Sequence, residues 1–83
     1  MKLKGEYVLT EIGDEVIACS VGEGKPRVVT LNESGKLLWQ LLEQGCTEEA
    51  LSTALCREFE VTADRAMADA HSFVEYLQSR GIL

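Results

Sequence analysis

The chain lacks the features that mark a membrane protein, a disulfide-bonded secreted domain or a zinc site. No apolar run approaches the roughly 20 residues that a membrane-spanning helix needs, and no signal peptide is recognisable. The three cysteines, Cys19, Cys46 and Cys56, are widely spaced, odd in number and without a C-x-x-C pair, which predicts reduced thiols. We therefore expect a cytoplasmic protein that holds no metal and needs no cofactor.

Residues that could carry out catalysis are equally scarce. His71 is the only histidine and has no H-E-x-x-H partner, so a surface or half-buried structural role is predicted for it. No serine lies in a G-x-S-x-G setting. The stretch "GEGK" at 22–25 has the wrong spacing for a P-loop and no Ser or Thr after Lys25. The sequence predicts a protein that is not an enzyme.

Positive charge is in short supply. Eight basic residues face fourteen acidic ones, a formal net charge of −6. An acidic surface repels nucleic-acid phosphates and anionic lipid. The last predicted helix, which would be the DNA-reading one, has only Arg65 and Arg80 against three carboxylates. Nucleic acid and membrane are therefore not expected as partners, and a peptide or protein partner fits better.

The N-terminal third of the sequence alternates with the period of a strand. Residues 7–12 and 15–21 are separated by Gly13-Asp14, which predicts a hairpin. Residues 22–26 contain two glycines and a proline, which interrupt regular structure, and are predicted to form a loop; residues 27–31 are predicted to form a third short strand. Pro26 lacks a donor and belongs at a strand start or at a sheet edge.

From Asn32 onward the apolar period is that of helices. Asn32, Thr47 and Thr62 are predicted N-caps, and glycines at 45 and 81 are predicted ends. The stripe predicted for the last helix comprises Ala63, Ala66, Met67, Ala70, Phe73, Val74 and Leu77. Trp39 is predicted to anchor the core, with a hot spot for a partner as the alternative.

The length of 83 residues and the single proline predict one domain over residues 1–83. The element order gives an α+β fold, in which an N-terminal three-stranded antiparallel sheet is followed by three helices. The last two helices resemble a helix-turn-helix and the hairpin resembles a displaced wing. An acyl- or peptidyl-carrier domain is disfavoured because it would be all-helical with an Asp-Ser-Leu site.

The motifs from the third strand to the C-terminus resemble those of the PqqD-like family. These small proteins are named for pyrroloquinoline quinone synthesis and are also called RiPP precursor recognition elements. The matching residues are, in order, Leu31-Asn32, Gly35, Leu38-Trp39, Leu41-Leu42, Gly45, Thr47-Glu48-Glu49, Phe59-Glu60-Val61, Asp69 with Phe73 and Leu77, and Gly81-Ile82. The hairpin "YVLTEI" also resembles family members, so the resemblance covers nearly the whole chain.

The resemblance implies an adaptor that holds the leader of a ribosomally made precursor peptide. Such proteins present the peptide to a modifying enzyme, often a radical SAM protein, or to a leader peptidase in lasso-peptide systems. The leader would add as a strand beside the third strand and rest against the third helix. A winged-helix protein that contacts DNA or a regulator, or a purely structural subunit, remains the alternative.

Elementary physics agrees with that site, because a three-stranded sheet ends in an open edge that can accept another strand. The predicted peptide-binding residues are Arg27, Val28, Val29, Thr30 and Leu31 on the strand and Ala66, Asp69, Ala70, Phe73 and Val74 on the helix. A proline at Val29 is expected to delete a donor at this edge. The open edge also invites self-pairing, so a monomer or a weak homodimer is expected.

Overall fold

The computed structural model describes residues 1–22 and 24–83; the loop predicted over 22–26 includes Glu23, which lies outside the described residues. Three strands come first, β1 (Tyr7–Ile12), β2 (Glu15–Ser20) and β3 (Val28–Leu31). Three helices follow, α1 (Glu33–Gln44), α2 (Glu48–Glu58) and α3 (Ala63–Ser79). The predicted fold class is confirmed, with β2 ending and β3 beginning one residue inside the predicted limits.

The strands form one antiparallel sheet in the order β1-β2-β3. Gly13 opens the two-residue turn of the hairpin with a positive φ of 63°, whereas Asp14 keeps a negative one, as a type II′ turn requires. Ile12 therefore pairs with Glu15, and this register places Val8 opposite Cys19. On the other side of β2, Cys19 pairs with Val28 and Ala18 with Val29.

Strand alternation sends every second side chain into a single core. Val16, Ala18, Val29 and Leu31 supply the sheet's share of that core. The helices cover this face of the sheet with Leu38, Trp39, Leu42, Leu51, Leu55, Ala66, Ala70, Val74 and Leu77, and Ile82 closes it behind α3. In the part of the chain that the structure describes, no helix lies against the other face of the sheet.

Trp39 is confirmed as a core anchor, since none of its surface is exposed. Its ring meets that of Tyr7 on β1 at right angles, with the centroids 5.0 Å apart. Edge-to-face pairs of this kind add to the stability that burial alone gives. The contact ties α1 to the first strand.

All three predicted N-caps are confirmed. Asn32 Oδ1 accepts the N–H of Gly35 at 2.8 Å, Thr47 Oγ1 that of Ala50 at 3.1 Å, and Thr62 Oγ1 that of Arg65 at 3.2 Å. Each bond satisfies a backbone donor that the helix itself leaves free. α1 therefore starts directly after β3, with a single residue between them.

Gly35 explains why the β3–α1 corner is so tight. It is buried, and a Cβ at this position would lie 3.1 Å from Asn32 Oδ1. A larger residue would therefore press on the atom that caps the helix. The glycine keeps both the cap and the space beside the end of β3.

Two positions of the predicted α3 stripe are wrong, because Ala63 and Met67 are exposed. Met67 is 61% exposed, whereas Ala66 beside it is fully buried. The buried residues of α3 are Ala66, Ala70, Val74 and Leu77, which repeat every three or four positions and leave Met67 on the solvent side. After α3 the C-terminus folds back on the core, because Ile82 is buried and its N–H donates to Leu77 O at 2.9 Å.

Candidate functional site

The hydrogen-bond pattern of the sheet shows which backbone groups of β3 are free. Ser20 N donates to Arg27 O at 2.9 Å, which makes this a hydrogen-bonded pair. Because such pairs alternate along an antiparallel ladder, the backbone groups of Val29 and Leu31 face β2, and those of Val28 and Thr30 face away from it. Val28 and Thr30 therefore hold the unpaired N–H and C=O groups of this edge.

This alternation corrects the expectation that a proline at Val29 would delete a donor at the free edge. Its N–H points to Ala18 on β2 and its side chain is 1% exposed, so it is a core residue of the sheet. A proline there would remove a ladder bond inside the sheet and would leave the free edge unchanged. The residue that carries a free donor and an exposed side chain in the middle of β3 is Thr30.

An open cleft of about 660 Å³ lies beside the free edge, between β3 and α3. Apolar side chains line its interior, with Leu31, Leu38, Leu55 and Phe73 among them. Polar groups surround them: Glu15, Thr30, Asn32, Ser34, Arg65, Asp69, Ser72 and Tyr76. A cleft with apolar and polar groups beside unpaired strand groups can accept an extended segment and bury some of its side chains.

A second depression of about 310 Å³ continues the cleft past the end of β3. The two share Asn32, Ser34, Leu55 and Asp69. Phe59 and Val61, on the connector between α2 and α3, add an apolar wall to the second depression. An extended segment that follows β3 beyond Leu31 would therefore stay in contact with the domain.

Charge on the α3 side of the cleft is largely neutralised within the helix. Arg65 Nε lies 3.1 Å from both carboxylate oxygens of Asp69, one turn further along. Both side chains remain exposed, so the pair stabilises the fold little and can exchange for a ligand group. At the opposite end of β3, the Arg27 guanidinium donates to Gly81 O at 3.1 Å.

Five of the ten predicted site residues line the cleft: Val29, Thr30, Leu31, Asp69 and Phe73. The other five do not. Ala66, Ala70 and Val74 are buried within the core and support the cleft from beneath. Arg27 and Val28 lie at the start of β3, outside the cleft, although Val28 shares the free edge.

Several residues of the cleft were missed by sequence reasoning. Arg65, Ser72 and Tyr76 flank the predicted Asp69 and Phe73 at spacings of three or four, so helical periodicity could have found them. Leu38 and Leu55 come from the other two helices, and Glu15 comes from β2. Only the tertiary packing brings these three to the edge of β3.

The remaining titratable groups have structural explanations. His71 is exposed and lies between Glu48 and Glu75, with Nε2 2.6 Å from the latter, as expected for a surface histidine. Burial raises the pKa of the Cys46 thiol, so less of it is thiolate at neutral pH.

Within residues 1–22 and 24–83, no three metal-ligating side chains converge. No helix in that part of the chain is long and apolar enough to cross a membrane.

The fold and cleft define a class of small α+β domain, in which a short sheet keeps one open edge beside a helix-lined groove. The particular family follows from the sequence. Residues 6–83 match the family described as coenzyme PQQ synthesis protein D (PqqD), and the chain belongs to that family. The resemblance drawn from its motifs is thereby confirmed.

Solved structures with the same fold include two complexes. One is TbiB1 in complex with the TbiA(beta) leader peptide, with a TM-score of 0.79 and 29% identity over 100% of this chain and 94% of that one. The other is a lasso peptide synthetase B1 complexed with its leader peptide, with a TM-score of 0.75 and 22% identity over 98% and 93% of the two chains. At that lower identity the second shows the fold alone. The comparison with curated proteins gives no match.

Proposed function

We propose that this protein is a non-catalytic adaptor that binds the leader segment of a ribosomally synthesised precursor peptide and presents it to a modifying enzyme. The observation that carries the proposal is the free edge of β3, whose unpaired groups on Val28 and Thr30 open beside a cleft of about 660 Å³ that Leu31 and Phe73 help to line. Strand addition uses these two features together. Backbone bonds hold the guest, and pockets select its alternate side chains.

The sheet also favours one direction for the guest. All its pairs are antiparallel, and a further antiparallel strand is the more stable addition. The guest's N-terminal part would then lie near Asn32 and the second depression, and its C-terminal part would leave near Arg27. Alternate side chains of the guest would enter the cleft against Leu31 and Phe73.

The proposed contact residues are Thr30, Leu31, Asp69 and Phe73, with Val28 as a backbone partner and Arg27 where the guest leaves. Val29, Ala66, Ala70 and Val74 act from the core, by fixing the positions of β3 and α3. The complex of TbiB1 with a leader peptide supports this use of the fold, because that protein aligns with all of this chain. The enzyme that receives the peptide is a radical SAM protein or a leader peptidase of the lasso type.

The test is calorimetric titration with the synthetic leader of the precursor peptide encoded beside the gene. Thr30→Pro removes the central free donor of β3 and leaves the ladder to β2 intact. We expect it to weaken peptide binding at least about fivefold, the loss of one bond of about 1 kcal/mol, while the circular dichroism spectrum stays unchanged. Wild-type affinity in the folded Thr30→Pro variant would disprove strand addition at this edge.

Glu11→Pro is the matched control. Val21 N donates to Glu6 O, so by alternation the N–H of Glu11 faces the free edge of β1, on the other side of the sheet. The substitution deletes the same kind of donor from an exposed position, and we expect it to leave leader affinity within about twofold. Loss of binding in this variant instead would place the guest on β1.

A further inference from the structure

The face of the sheet that the helices leave uncovered is apolar. Val8, Ile12, Val21 and Val28 lie on it, and between 47% and 60% of each is exposed. They are four of the seven large apolar side chains that the described residues expose. An antiparallel sheet with one solvated face normally carries polar side chains there, so an apolar patch of this kind marks a contact surface.

The strand register makes these side chains contiguous. Val8, Cys19 and Val28 form one row across the three strands, and Thr10, Ile17 and Thr30 form the next. Ile12 and Val21 extend the patch at its two ends. We call this surface the outer sheet face; it consists of Val8, Thr10, Ile12, Ile17, Cys19, Val21, Val28 and Thr30.

The outer sheet face is continuous with the edge to which a peptide would add. Val28 and Thr30 carry the free backbone groups of β3, and their side chains lie on this face. A strand added beside them would extend the face by one strand, because every second guest side chain points to the same side. A partner that sits on this face would therefore touch the domain and the bound peptide together.

The charges on this face indicate the chemistry of the partner. Among the described residues, the charged positions on this side of the ladder are Glu6, at the start of β1, and Glu15, beyond Ile12. Both are acidic, whereas Lys4, Lys25 and Arg27 line a depression together with Glu6 and Val21 at the other end of the face. The end of the face near Ile12 and Glu15 is therefore the acidic one, and a partner with an apolar patch and a Lys or Arg opposite Glu15 would be complementary to it.

We propose that the outer sheet face is the docking surface for the enzyme that acts on the bound peptide, and that this enzyme presents an apolar patch with a basic residue opposite Glu15. This inference rests on the proposed function. The contact would lie across the sheet from the helices, so the enzyme and the cleft would hold the peptide from opposite sides.

The test measures the purified modifying enzyme encoded beside the gene, binding to the immobilised full chain preloaded with leader peptide. Val8→Lys combined with Ile12→Lys changes the outer sheet face on β1, the strand furthest from β3. We expect enzyme affinity to fall at least tenfold and leader affinity to stay within twofold. Met67→Lys places the same charge on an exposed apolar position of α3 and should change neither.

The outcomes separate this inference from the proposed function, which fails if the wild-type chain does not bind the leader in calorimetry. The docking surface is disproved if the loaded wild-type chain does not bind the enzyme, or if the double lysine variant binds it as tightly as wild type. It is also disproved if sedimentation shows a wild-type dimer that the same variant dissociates without loss of enzyme affinity. Should the lysines prevent folding, Val8→Thr with Ile12→Thr keeps β-branched residues and should still weaken enzyme binding.

Discussion

The two edges of the sheet, β1 and β3, are chemically equivalent in their backbone and differ in what lies beside them. β1 is six residues long and β3 only four, yet the shorter edge is the one that opens on the apolar cleft. On the β1 side, the Glu11 carboxylate is bonded to the Lys36 ammonium of α1. Lys2 and Glu43 lie in the shallow depression near Tyr7.

The comparison shows that unpaired backbone alone does not make a strand acceptor. Charged side chains at an edge discourage a further strand, because a guest would have to desolvate them. At β3 the neighbouring groups include Phe73, which is half-buried and gains by being covered. The difference between the edges therefore comes from the helices beneath them.

The largest expected effect is on the stability of the fold, when the proline is placed at Val29 instead of at Thr30. Val29→Pro removes the bond to β2, leaves a buried acceptor on Ala18 unpaired and changes the shape of a core side chain. We expect a loss of at least about 3 kcal/mol in the free energy of unfolding, measured by urea denaturation. Thr30→Pro should cost less than about 1 kcal/mol in the same assay. Equal losses in the two variants would contradict the assignment of Val29 to the bonded side of β3 and of Thr30 to the free side.

A smaller effect is expected from the wall of the cleft. Phe73 is half-buried beside β3, and Phe73→Ala removes apolar surface that a guest side chain would cover. We expect leader affinity to fall about tenfold in calorimetry, which corresponds to about 1.4 kcal/mol. His71→Ala changes an exposed position of the same helix outside the cleft and should leave leader affinity unchanged. Equal losses of affinity in the two variants would mean that any substitution in α3 weakens binding and that Phe73 is not a specific contact.

The smallest effect concerns the ion pair at the β1 edge. A hydrogen bond from Lys36, with the attraction of its charge, holds the pKa of Glu11 below its ordinary value of 4.5. A carboxyl with a lowered folded-state pKa contributes stability above its ordinary pKa and loses it as the pH falls through the folded value. The pair is exposed, so the contribution is small.

Glu11→Gln should therefore lower the urea midpoint slightly near neutral pH, and the difference from wild type should shrink as the pH falls below 4.5. Leader affinity should be unchanged, because this edge is not the proposed site. A difference that grew on acidification would contradict the assigned direction of the pKa shift. Altered leader affinity would contradict the proposed separation of the two edges.

The sequence predicted the fold closely because each of its signals is local. Asn32, Thr47 and Thr62 each cap a helix through a bond to a residue three positions on, and such bonds depend only on neighbours in the chain. The hairpin follows from Gly13-Asp14 for the same reason. The prediction that Met67 is buried was wrong because a wide apolar stripe does not specify which of its two borders faces the core.

The candidate site was harder to predict because it depends on register and packing. Alternation identifies the side chains of β3, but which backbone groups remain free depends on its pairing with β2. Ala66 and Ala70 have the same spacing whether they line a groove or lie under it, and the structure buries both. Leu55 enters the cleft from α2, which no local pattern links to β3.

The shortness of β3 has a consequence for how a guest is selected. Val28 and Thr30 together offer two N–H and two C=O groups. At about 1 kcal/mol net for each bond, the ladder supplies about 4 kcal/mol, equivalent to a Kd of about 1 mM. Any tighter complex must draw the rest of its affinity from a few anchoring side chains in the cleft. The guest's sequence would then be constrained at those anchors and free to vary between them.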